Sequence, residues 1–167
     1  MSEFKPLDPT ACGLFLVAVV SLPLAIANLT EDPIYAPTPE FFMGIGAMIL
    51  VVALLAYRAE SQFGFTVFAL VGTAVFLTGY GGMYTMMDIA FALTYFLAII
   101  WSLWIKTPKA LTVICFTTML VFLTVGLSGI IDGDYWPKVI GIVALLNFLA
   151  NIYLSFALAS DGKVKVI

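Results

Sequence analysis

The chain has 167 residues, 63% of them hydrophobic and 10% charged, with a net charge of −3 and a mean hydropathy of +1.13. A soluble domain carries about 25% charged residues, so these few charges cannot cover a water-facing surface, and lipid must be the solvent. With no histidine and only two cysteines, Cys12 and Cys115, both inside apolar runs, the chain has no ligand set for zinc, haem or an iron–sulfur cluster. No metal and no cofactor is expected, and both cysteines read as small buried apolar residues.

The length fits a single membrane domain, residues 1–167. The opening segment MSEFKPLDPTA holds acids and a proline. It lacks the basic start and small-residue exit of a cleaved signal, so the first apolar run reads as a retained span. A span needs about 20 mostly apolar residues. Six runs qualify: Ala11–Leu29, Phe41–Tyr57, Phe63–Tyr80, Ile89–Ile105, Leu111–Ile131 and Val139–Ala159. The breaks between them are TEDPIYAPTPE, RAESQ, YGGMYTMMD, KTPK and DGDYWPK. The expected fold is an all-α integral membrane protein of six transmembrane helices.

Lys5, Arg58, Lys106, Lys109, Lys163 and Lys165 fall in the N-terminus, the even-numbered loops and the C-terminus, whereas Lys138 alone falls on the other side. The positive-inside rule therefore places both termini in the cytoplasm. Trp101 and Trp104 near the inner end of span four, and Trp136 near the outer face, suit an aromatic belt. No span carries a charge near its middle. Glu40 and Asp88 come nearest, at span ends, and read as solvated end residues.

The polar residues inside the spans fall at helical spacing. Val17, Ser21, Leu24 and Asn28 share a face of span one; Thr117, Leu120 or Val121, Thr124 and Ser128 share one of span five; Asn147, Asn151 and Ser155 form a ridge on span six. On span three, Thr66, Ala69 and Thr73 lie on one side, and Gly64, Val71 and Thr78 roughly opposite. Small and hydroxylated residues serve helix packing in membranes, and a threonine can satisfy a carbonyl of its own helix. An asparagine amide in hydrocarbon needs several partners, so Asn28, Asn147 and Asn151 also suit the lining of a shared polar interior. Such a lining is neutral and fits a small polar or singly charged solute.

Two motifs resemble a known family, the acetate uptake transporters or succinate–acetate permeases. DPTACGLF, with Pro9, Gly13 and Leu14, is similar to the family's signature before span one. Phe63, Gly64, Thr66, Phe68 and Gly72 match its Phe-Gly-x-Thr-x-Phe-x-x-x-Gly pattern. WSLWIKTPK and IVALLNFLANIYLSFALA resemble its last spans, whereas the family's glutamate at the end of span two is Ala56 here. The resemblance implies a homohexamer in the cell (plasma or inner) membrane, each protomer with its own path for acetate and related small monocarboxylates, channel-like or proton-linked. It also implies an apolar constriction at Val17, Val71 and one of Met119, Leu120 and Val121. The family's two aromatic positions are valine here, so a wider path is expected. Besides the solute and the bilayer no partner is implied, and no basic patch interleaved with aromatics points to nucleic acid.

Two other functions remain open. A channel for small neutral solutes (urea, short amides, ammonia) suits an uncharged lining equally well. A membrane assembly or sensory subunit would explain the packing residues alone. Catalysis is not expected, because no nucleophile–base pair or cofactor motif is present.

Overall fold

The computed structural model describes residues 9–160 and 163–166, and Lys5 and Asp8 lie outside them. The described residues form six long helices and one short 3-10 turn, with no strand: α1 Thr10–Thr30, the turn Pro33–Tyr35, α2 Pro39–Arg58, α3 Gln62–Tyr80, α4 Thr85–Trp104, α5 Lys109–Ser128 and α6 Trp136–Ala159. All six are long and apolar enough to cross a membrane, because in hydrocarbon a helix satisfies its backbone polar groups internally. The protein is therefore a multi-pass membrane protein.

Local chemistry sets the ends. The Thr38 hydroxyl accepts from the Phe41 N–H at 3.3 Å ahead of Pro39, and the Ser61 hydroxyl accepts from the Gly64 N–H at 3.3 Å. These are N-caps satisfying donors that the first helical turn leaves free. Gly81, at φ 76°, ends α3 in the left-handed conformation that glycine adopts without penalty. The largest departure at a helix start is in α4, which begins at Thr85, four residues before the apolar run at Ile89. Hydropathy marks where lipid contact begins, while the backbone ladder needs only residues that tolerate a helix, and Thr85–Asp88 supply that turn.

Helices adjacent in sequence pack side by side, and α6 returns to α1, so the six close a ring. The tightest seams are α2–α3, α1–α6 and α4–α5, and the thinnest is α3–α4. A Cβ on Gly46 would strike the Phe76 backbone, one on Gly79 the Pro39 carbonyl, and one on Gly72 would sit 3.0 Å from the Leu50 nitrogen. In lipid, where no hydrophobic force drives helices together, such backbone approach is a main source of association. Tyr95 bridges the thin seam: it is 1% exposed, and its hydroxyl donates to the Val67 carbonyl at 2.8 Å. Of the two cysteines, Cys115 is buried as expected, but Cys12 is exposed on the outer side of α1.

Candidate functional site

The ring encloses a cavity of about 130 Å³. Val17, Val20, Ser21 and Leu24 of α1 border it, with Val71, Val75 and Thr78 of α3, Thr118, Val121 and Phe122 of α5, Asn147 of α6, Phe42 and Asp88. The volume is close to the ~150 Å³ of a dry engineered cavity that accepts benzene, which limits an occupant to a few heavy atoms.

One wall is a hydrogen-bonded network around Asn147. Its Nδ2 donates to the Ser21 Oγ at 3.0 Å, and Ser21 in turn donates to the Val17 carbonyl at 2.9 Å. Asn147 Oδ1 accepts from the Thr117 hydroxyl at 2.8 Å, the Thr118 hydroxyl at 3.1 Å and Asn151 Nδ2 at 3.0 Å. One amide thus ties α1, α5 and α6 together. An amide nitrogen has two N–H groups, and among the described residues Asn147 Nδ2 has one acceptor, the Ser21 Oγ, which leaves its second N–H without one. Asn151 is 0% exposed, and its Oδ1 has no partner among the described residues.

Of the residues singled out in the sequence, Val17, Ser21, Val71, Thr78, Val121 and Asn147 border this cavity. Thr117 and Asn151 stand behind the wall as partners of Asn147. Leu120, Asn28 and Thr124 do not border it. Asn28 Nδ2 donates to the Leu24 carbonyl at 2.8 Å, and the Thr124 hydroxyl to the Leu120 carbonyl at 2.8 Å. Each of these donors is engaged by a carbonyl of its own helix, and neither residue joins the network around Asn147.

A second cavity, of about 300 Å³, lies toward the end that holds the start of α1 and the α2–α3 turn, and Leu14, Gly64, Val67, Phe68 and Leu154 are among the residues that line it. The two cavities share no lining residue. The nearest lining residues of the two are about one turn apart on α1 (Leu14, Val17) and α3 (Val67, Val71) and about two turns apart on α5 (Leu111, Thr118) and α6 (Asn147, Leu154), so a wall of side chains lies between the two spaces. Within that wall the Phe68 ring fills the room that Gly13 leaves: a Cβ on Gly13 would be 2.5 Å from two ring carbons.

This six-helix ring is similar to the solved structure of the bacterial acetate channel SatP, with a TM-score of 0.81 and 15% sequence identity, over 96% of this chain and 99% of that one. The chain has that channel's fold. No protein-family model and no curated protein matches the sequence.

Within this fold the two sequence motifs meet. Pro9 leads into α1, Gly13 receives the Phe68 ring, and Leu14 lines the second cavity. Phe63 packs edge-on against Trp101 at 5.2 Å, Gly64 is held against Ser61, and Gly72 meets α2. Thr66 donates to its own helix at the Gln62 carbonyl and faces outward beside Arg58. Gly64, Val71 and Thr78 do share the inner side of α3, bordering the two cavities.

The sequence reading missed two inner residues. Asp88, expected to be a solvated end residue, is only 9% exposed and borders the central cavity. Tyr95 passed unremarked, yet it stacks on the cavity-lining Phe122 at 5.8 Å. The usable signal was periodic: Asp88, Ala92, Tyr95, Ala98 and Ser102 form the buried stripe of α4.

Proposed function

We propose that the chain provides a membrane path for acetate and related small monocarboxylates. The observation that carries this reading is the central cavity: small, mainly apolar, and walled on one side by the Asn147 network, in the fold of an acetate channel. An apolar wall accommodates the methyl or short alkyl end. The free N–H of Asn147 serves a carboxyl oxygen, while the hydroxyls of Thr78 and Thr118, which donate to the Ala74 carbonyl and to Asn147 Oδ1, remain as acceptors for the proton of an acid. Among the described residues no cation borders the cavity. A bare anion would therefore find no counter-charge to offset its desolvation, which favours passage as the acid or with a co-moving proton.

Val17 and Val71 stand at the cavity's inner end, beside that wall of side chains, and form the proposed constriction with Val121. Two valines leave room for substrates larger than acetate. Replacing Val71 with Phe is expected to cut flux and shift preference toward the smallest acids. In proteoliposomes, labelled acetate uptake should be competed by formate and propionate, less by lactate and succinate, and not by urea. Urea flux with no acetate flux would establish the neutral-solute channel instead.

The same reading includes cytoplasmic termini, location in the cell membrane and a ring of six protomers. Arg58 ends α2, Lys106 lies between α4 and α5 and Lys109 begins α5, all at one end of the bundle, and Lys163 and Lys165 follow α6 there, which supports the orientation. Mass measurement of the detergent-solubilised protein tests the assembly.

A further inference from the structure

Asp88 stands in the first turn of α4, where an acid ordinarily serves the helix N-terminus from a solvated position. Asp32 illustrates that use: it is exposed, and its side chain accepts from the Ile34 N–H at 2.9 Å. Asp88 does neither. The start of α4 has no side-chain cap, and no described residue is paired with the Asp88 carboxyl group. Its Cβ lies against the α5 backbone, 3.3 Å from where a Gly126 Cβ would stand, and the residue borders the central cavity. It is the only charged residue that does so among those described. Around it α5 presents Phe122 and Val125, α3 Val75 and Thr78, α2 Phe42 and α1 Leu24, and none of these titrates. The other acids and the lysine of this end (Glu31, Asp32, Glu40, Asp132, Asp134 and Lys138) are exposed, as are Tyr35, Tyr80, Tyr84 and Tyr135. An ionisable side chain within a span, facing a cavity and with no counter-charge, marks a functional position.

We propose that Asp88 determines specificity at this end of the cavity, admitting a small monocarboxylic solute only when a single proton is shared between its carboxyl group and that of the solute. The inference rests on the monocarboxylate reading. Two carboxylates at close range repel, whereas a carboxyl and a carboxylate form a charge-assisted O–H···O⁻ hydrogen bond. The proton can arrive on either member, as the acid meeting the Asp88 carboxylate or as the anion meeting a protonated Asp88. In both cases one proton accompanies one solute into the site, and no bond other than the hydrogen bond changes. Asp88 thereby excludes the bare anion, and the Asn147 N–H orients the solute from the opposite wall.

The test compares native protein with Asp88→Asn and Asp88→Glu in proteoliposomes, with protein-free vesicles subtracted and labelled acetate followed across a pH series. Native uptake should fall about tenfold per pH unit above the acidic range, as a one-proton requirement demands. Asp88→Asn donates an N–H to the anion and removes the like charge, so its profile should flatten and its acetate uptake should become electrogenic. Asp88→Glu keeps the carboxyl group and should keep the native slope. An Asp88→Asn profile parallel to the native one overturns the proposal, as does a Glu variant as flat as the Asn variant. Should Asp88→Asn fail to fold, Asp88→Ser is read by the same criteria. Absence of native acetate uptake would instead defeat the monocarboxylate reading itself, before any variant is compared.

Discussion

The α2–α3 seam and the α1–α5–α6 wall solve the same problem in different ways. The first brings backbones together through Gly46, Gly72 and Gly79, with no polar side chain required. The second is held by one amide and the hydroxyls around it, with Asn147 at the centre. Both are ways for helices to associate where lipid removes the hydrophobic drive. They differ in what they can face. A glycine seam is dry and offers a solute nothing, whereas a polar hub retains a free donor and can form one side of a cavity. The central cavity therefore lies beside the polar wall, and the proposed path would run there.

That contrast can be broken at either seam, and the larger effect belongs to the glycines. Gly46→Leu should lower stability by about 3 kcal/mol or prevent folding, because the added carbons meet the Phe76 backbone, which cannot swing aside. Thermal unfolding in detergent reads this, and a native-like melting temperature would show that the seam yields. Asn147→Leu comes next, at about 1–3 kcal/mol, since Ser21, Thr117, Thr118 and Asn151 all lose their shared partner. It should also impair acetate flux in protein that still folds, which the glycine variant should not do selectively. Thr117→Val should cost less than either, because Thr118 and Asn151 still donate to the same oxygen.

The number and type of elements were legible from apolar runs, because a bilayer admits only a narrow range of span lengths. Which polar residues face inward was only partly so. Spacing put Asn147 and Asn151 on one ridge, but the cavity reaches only the Asn147 level of that ridge, and Asn151, one turn further along α6, serves as its partner. Asn28 and Thr124 carry the same polar signal, yet each donates to a carbonyl of its own helix, and a stripe in the sequence does not distinguish the two uses. Asp88 was missed because hydropathy placed the start of its helix too late. The stripe it shares with Ala92 and Tyr95 depends on helical phase and was present all along.

The thin α3–α4 seam tests whether a single hydrogen bond can stand in for backbone packing. Tyr95→Phe keeps the stack on Phe122 and loses only the bond to the Val67 carbonyl. It should cost about 0.5–1.5 kcal/mol, with flux little changed if the bond is purely structural.

The smallest effect is expected at Thr124, and it sharpens the comparison most. Its hydroxyl donates only to carbonyls of α5, those of Leu120 and Val121, and it does not border the cavity. Thr124→Val keeps the shape and removes a bond whose acceptors are already used by the helix, so stability should stay within about 0.5 kcal/mol. Acetate flux should also be unaffected. Asn147→Leu and Thr124→Val thus remove polar groups of similar apparent promise in sequence, one bordering the cavity and one facing its own backbone. Equal losses of flux in the two would mean that the path follows the whole polar stripe of α5 rather than the wall around Asn147.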